Sequence, residues 1–225
     1  MQFKTLTIII LSLIILCPGL SAEDATWLNR NSAIGATTAY AYYKKNYQQH
    51  PTYTSAWQFA RAAHFYAYNF LTDYATRLTL YNEGITAAQY AITIAPQSPE
   101  AHFWLASCYG SIVEASGLVE GFRYVGVIMQ ELNTVIQLEP GFADGLAYAI
   151  RAKVYFKAPG WPLSIGDINK SGDDFTHAFH YAAGKNRLVY RFYAEYLLQN
   201  GERITAQRFI AQRLAIPFDR SNSIE

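Results

Sequence analysis

Apolar residues recur through most of this chain at the three-and-four spacing of one helix face, and prolines cut that pattern into units. The clearest cut runs from Ala91 to Trp104 (AITIAPQSPEAHFW). Ala91, Ile92 and Ile94 close one helix. Pro96 cannot continue it, because proline lacks the N–H and its ring clashes with the preceding turn. Pro99 suits the first turn of the next helix, where a missing donor costs nothing, and Ala101 and Trp104 begin a new apolar stripe. The arrangement returns around Pro51 and Pro140. Each proline is followed five positions on by a small residue and eight on by an aromatic: Pro51/Ala56/Phe59, Pro96/Ala101/Trp104 and Pro140/Gly145/Tyr148. The prolines lie 45 and 44 residues apart, and a period of that size predicts stacked helical hairpins, an all-α array.

The pattern predicts helices over 25–49, 54–73, 77–94, 99–117, 119–138, 142–157, 168–183, 187–200 and 202–215, with no strand alternation anywhere. Gly117 and Gly201 sit where helix ends want glycine. Lys157–Lys170 (KAPGWPLSIGDINK) carries two prolines and two glycines and cannot be a regular helix. Trp161 at its centre is expected to fold back onto the core; the other reading is a contact that gates or lines a binding site. The tail Phe218–Glu225 is expected to fray.

Met1–Ala22 reads as a secretory leader. Lys4 precedes an apolar run, Leu6–Leu16, and Leu20-Ser21-Ala22 offers a small residue before the cut. The run is shorter than the roughly 20 residues a bilayer span needs. Lipid attachment at Cys17 would want a small residue before it, and Leu16 is large. The expected product is residues 23–225, a single helical-repeat domain, periplasmic or secreted. Cys108 is then its only thiol, on an apolar helix face, and is expected to be buried and inert.

Charge narrows the partners. The chain has 18 Lys and Arg against 17 Asp and Glu, and without Lys4 it is formally neutral, so a nucleic-acid partner, which needs a basic face, is not expected. Membrane contact is expected only through a lipidated Cys17 or an uncleaved leader. Aromatic residues are abundant, with 18 Tyr, 13 Phe and 4 Trp. Interhelical packing is the first explanation for them, and an aromatic-lined binding surface the second.

Sequence chemistry is sparse. No GxSxG, HExxH, P-loop, GxGxxG or CxxC spacing occurs in the mature part, and neither catalysis nor a cofactor is expected. Asp173, His177 and His180 fall on one face of a helix, opposite Phe175, Ala178, Phe179 and Ala182. Two imidazoles and a carboxylate there could take zinc with a further ligand, but a solvated outer face is the expected reading and no metal is assigned. His64 and His102 are expected to be satisfied core or groove histidines. Tyr40, Tyr42, Tyr43 and Tyr47 read first as packing, with binding of an extended partner as the second reading.

Gly84/Ala88/Ala91 before Pro96, Ser171/Phe175/Ala178 before Ala183, and Pro-Glu-Ala (99–101) with Leu105, Ala106 and Tyr109 are similar to the tetratricopeptide repeat, with about 44 residues per unit in place of 34. EAHFWLASCYG (100–110), IQLEPGFADG (136–145), KAPGWPLSIGDINKSGDDFTHAF (157–179) and YRFYAEYLLQNG (190–201) resemble the T-component family of tripartite ATP-independent periplasmic (TRAP) transporter systems. A related eukaryotic family, the regulators of microtubule dynamics, shares the repeat style. The resemblance spans roughly residues 55–216. It implies a periplasmic helical-repeat protein that associates with a solute-binding protein around an apolar pore or pocket.

The functional expectation is a non-enzymatic module that binds a protein partner on the concave surface of the stack. Trp104, Tyr109, Tyr148, Tyr155 and Trp161 are the residues expected to line or flank that surface. The alternative is carriage of a small apolar ligand, a lipid or organic acid, between hairpins.

Overall fold

The computed structural model describes residues 22–217. The expected leader up to Ser21, Cys17 within it, and the tail from Phe218 lie outside the described residues. Within them the chain forms ten helices and no strand: α1 (Ala22–Leu28), α2 (Ala33–Gln49), α3 (Tyr53–Phe70), α4 (Tyr74–Ile94), α5 (Pro99–Ser116), α6 (Leu118–Leu138), α7 (Phe142–Lys157), α8 (Ile168–Ala182), α9 (Arg187–Gln199) and α10 (Arg203–Ala215). None of them is long and apolar enough to cross a membrane. The fold is the tetratricopeptide-like solenoid expected from the period.

The three proline joints are copies of one another. A residue before proline is pushed out of the helical region by the ring. His50, Ala95 and Glu139 accordingly take φ −137°, −138° and −150° with ψ 76°, 74° and 92°. Each still donates its amide four residues back, to Asn46, Ala91 and Val135 at 2.8, 2.9 and 2.8 Å. The small residues five places on, Ala56, Ala101 and Gly145, are all buried, as are the aromatics eight places on, Phe59, Trp104 and Tyr148.

Two elements differ from the expectation. The helix expected over 25–49 is divided into α1 and α2. Ser32 caps α2 by accepting from the Gly35 amide at 3.0 Å, and the chain folds so tightly that a Cβ on Gly35 would lie 1.8 Å from the Asn29 carbonyl oxygen. The start of α7 is also irregular: Ala143, Asp144 and Gly145 have φ of 53°, 55° and 76°. Left-handed backbone costs a residue with a Cβ about 1–2 kcal/mol. The turn is held from outside, where Asn186 donates to the Ala143 carbonyl at 3.1 Å. A Cβ on Gly145 would stand 2.8 Å from the Cβ of Tyr181 in α8.

The helices pair in order as α3–α4, α5–α6, α7–α8 and α9–α10, with α1 and α2 leading in against α3. Small residues set the closeness of the stack. Ala60, Ala63 and Ala67 of α3 and Ala87, Ala88 and Ala91 of α4 are fully buried, and α5 is buried along most of its length. A tight seam lies at Gly84, where a Cβ would meet Cys108 Sγ at 2.9 Å and the Ala60 carbonyl oxygen at 3.4 Å. The first helices of neighbouring hairpins touch at α3–α5 and at α7–α9, but no comparable packing joins α5 to α7.

Overpacking a filled seam costs about 1–3 kcal/mol, more than the roughly 1 kcal/mol that replacing a helical glycine by alanine returns. Gly84→Ala should therefore lower stability in chemical denaturation. In a Cys108→Ala background, with Sγ gone, the same change should become neutral or stabilising.

Candidate functional site

Where α5 and α7 part, the concave side of the stack opens into a cavity of about 350 Å³. Its inner wall is apolar: Phe103 and Trp104 from α5, Ile128 from α6, Leu146 and Ile150 from α7, and Phe192 from α9. Phe65 and His64 of α3 and Val125 of α6 complete it. These side chains lie on successive turns of helices that the joints set in register, so one face of each unit contributes to one wall. The rim is charged and one-sided. Lys153, Lys157, Arg187, Arg191 and Arg213 line it, and Glu114 is the one carboxylate in the lining among the described residues.

A polar strap crosses the cavity mouth. Arg191 of α9 donates to the Tyr68 hydroxyl of α3 at 3.0 Å and to Glu195 Oε1 at 3.1 Å. Lys153 of α7 lies 3.6 Å from Glu195 Oε2 and pairs directly with Glu114 of α5. His64 Nε2 is 2.9 Å from Ser111 Oγ, joining α3 to α5. Exposed ion pairs contribute little energy each, but this series fixes the separation of four helices.

Three titratable groups beside this region are shifted by their surroundings. Burial pushes the His64 imidazole down to about 4. His102 sits between Glu131 Oε2, 2.5 Å from Nδ1, and the Pro96 carbonyl, 2.9 Å from Nε2; the Glu131 carboxylate holds its pKa above the usual histidine value. Burial raises the Cys108 thiol far above its ordinary range, so it is a packed, unreactive group. Both histidines are satisfied core or groove residues, as their apolar surroundings in the sequence suggested.

The five aromatics singled out in the sequence do not share one surface. Trp104 is in the cavity wall. Tyr109 stacks on Tyr124 at 5.1 Å. Tyr148 and Tyr155 line a separate, polar depression with Arg151, Lys170 and Asp173. Trp161 is 89% exposed, which corrects the expectation that it folds back on the core. The loop closes on itself instead: Gly160 and Gly166 bridge, and a Cβ on Gly166 would fall 2.0 Å from the Ala158 carbonyl oxygen.

Asp173, His177 and His180 are exposed. The His177 ring stacks on Tyr148 at 5.0 Å and His180 meets Tyr181 edge-on. Among the described residues no three His, Cys, Asp or Glu side chains are placed to hold a metal. Tyr43 is buried, Tyr47 stacks on Phe59 at 5.7 Å and Tyr40 lies 5.9 Å from Phe59, so packing explains these three, while Tyr42 is exposed. Sequence reading missed the rim. Tyr68 and Arg191 are 123 residues apart, and only closure of the stack brings them together.

The two histidines should tilt stability in opposite directions. A folded-state pKa below the unfolded 6.5 means that acidification through the interval from 6.5 toward 4 costs stability, because the unfolded chain takes up the proton first. For His102, with its pKa raised from 6.5, stability is fully present below that value and is lost as pH rises through the folded pKa. Thermal denaturation against pH should therefore show a shallower acid limb in His64→Gln and a shallower decline toward alkaline pH in His102→Gln.

Comparison with known proteins agrees with this architecture. A crystal structure of MamA superposes with a TM-score of 0.50 at 17% identity, covering 83% of this chain and 91% of that one. A crystal structure of MamA protein gives 0.49 at 16%, covering 86% and 91%. At such identity the first likeness bears on the fold alone. No curated protein matches the chain. The family model described as regulator of microtubule dynamics protein 1-3 matches residues 22–148, more than half of the chain and the whole stretch that carries the three proline joints. The chain belongs to the regulator of microtubule dynamics protein 1-3 family.

Proposed function

We propose that the chain is an exported, non-enzymatic helical-repeat module that binds a protein partner on its concave face in the bacterial envelope. The observation that carries this reading is the cavity between α5 and α7, an apolar hollow of about 350 Å³ under a rim of cations. An apolar side chain or helix end of a partner fills such a hollow, and acidic groups beside it meet the rim. Buried apolar contact supplies the affinity and the charges supply orientation. The T-component resemblance supplies a candidate, a solute-binding protein of the TRAP type. Trp104 contributes to the wall, while Tyr109, Tyr148, Tyr155 and Trp161 lie outside the cavity lining.

The same cavity favours a second reading, carriage of a small apolar ligand. Pockets for such molecules are concave, mostly apolar and provided with a few polar groups that fix orientation. A lipid chain or organic acid with its anionic end at Lys153 or Arg191 fits that description.

Gly110 separates occupancy from structure. It lines the cavity, and a Cβ there would meet nothing within 4 Å. Gly110→Leu should fill the hollow while raising the melting temperature, since a helical glycine costs about 1 kcal/mol. Crosslinking in the native envelope should capture a partner with the wild-type chain and lose it with Gly110→Leu. Native mass spectrometry that finds small-molecule adducts on the wild type, absent from the variant, would favour carriage. Unchanged capture by Gly110→Leu, without adducts in either protein, would remove the cavity from both readings.

A further inference from the structure

The loop between α7 and α8 meets the cavity only at its stem, yet its tip carries the most exposed apolar side chains of its neighbourhood. Trp161 is 89% and Leu163 80% exposed, with Pro162 between them and Ile165 and Ile168 exposed behind. Scattered exposed apolar residues are ordinary, but a contiguous set on a projection marks a contact surface.

Three features of the loop say what kind of surface it meets. Part of its backbone is bonded from within: the Leu163 and Ser164 amides donate to Gly160 O at 3.1 and 3.3 Å, Gly166 to Pro159 O at 2.9 Å, and Asp167 to Tyr155 O at 3.0 Å. Pro159 and Pro162 carry no amide hydrogen at all. At a hydrated headgroup layer the remaining amides keep water or lipid oxygens as partners, and those bonded within the loop need none. The chemistry is also graded. The apolar tip gives way at its base to Lys157 and Lys170, both exposed. The nearest carboxylate, Asp167, is turned toward the Asn169 and Lys170 amides that it caps, with Lys170 Nζ at 3.8 Å. Finally, tryptophan above lysine is the order found at a lipid headgroup layer, where the indole sits at the boundary and the ammonium reaches lipid phosphate.

We propose that the loop 158–168 is a membrane-interface wedge, in which Trp161 and Leu163 enter the boundary of an anionic lipid surface while Lys157 and Lys170 contact its headgroups. This goes beyond the reading given above: it places a second contact on the folded domain, outside the concave cavity and independent of any leader or lipidated cysteine. Only the stem of the loop, Lys157 to Pro159, is shared with the cavity wall.

The test is tryptophan quenching with the full chain as the cell processes it, mixed with vesicles of brominated phosphatidylcholine and phosphatidylglycerol. Any retained leader cannot mimic the signal, because residues 1–22 contain no tryptophan. The wild type should be quenched, and Trp161→Phe should lose the quenching although Trp27, Trp57 and Trp104 remain. Leu163→Asp should weaken vesicle-dependent quenching by about tenfold, the scale expected when one large apolar contact with the interface is lost. Vesicles of phosphatidylcholine alone should quench less than the anionic mixture. Circular dichroism should be unchanged in both variants, since the tip touches no core residue. Absence of quenching in the wild type, its persistence in Trp161→Phe, indifference to Leu163→Asp, or equal quenching by the neutral vesicles would each overturn the proposal. If the tip serves a protein surface instead, vesicles will leave Trp161 emission unaltered.

Discussion

A proline ring forbids helical geometry to the residue before it, and this one steric exclusion sets the spacing of the whole molecule. His50, Ala95 and Glu139 are driven to nearly the same pair of backbone angles, so three helices end alike. The consequence reaches beyond the turns. With the entry direction fixed, the residue five places on always falls where a neighbouring helix crosses, and only alanine or glycine fits there. The residue eight places on always points inward and must be large. A local rule repeated at constant intervals thereby becomes a common register for the packing.

The cavity lies where that register is relaxed. α7 begins through the left-handed turn of Ala143–Gly145 rather than directly, and it is α7 that stands away from α5. Aromatics and aliphatics that would otherwise have interlocked instead face a hollow. Two of the cations around it, Arg191 and Lys153, are held by carboxylates and a tyrosine hydroxyl, so that part of the rim is oriented before any partner arrives. Preorganisation of this kind lowers the ordering cost of association.

Much of the fold could be read from the chain because its signals are local. Pro, small residue and aromatic recur in sequence order, and the helices they predict are present with shifted ends. The division of the first helix was not legible: it depends on a backbone approach between Asn29 and Gly35 that no apolar pattern records. The left-handed turn was hidden for a related reason, since Ala143 and Asp144 have no preference for it and are held there by Asn186 from another hairpin. For the site, Trp104 was visible as a large residue on a repeating face. The hollow beside it was not, because looser packing between α5 and α7 leaves no trace in either helix. Trp161 was misjudged inward since a lone tryptophan in a loop usually buys burial, whereas here the Gly160–Gly166 bridge seals the loop first.

The bond between Tyr68 and Arg191 has a bearing on how this solenoid comes apart. An open stack of hairpins behaves as a spring: each unit leans on its neighbours, and the ends loosen first. Here a helix near the beginning is tethered to one near the end, with a second tie through Lys153 in the middle. Loosening α9 alone then means giving up a contact with α3 as well as those with its own neighbours. The molecule therefore resembles a clasped bracelet more than a coil, and terminal fraying, the ordinary weakness of repeat arrays, is opposed from the far side of the ring.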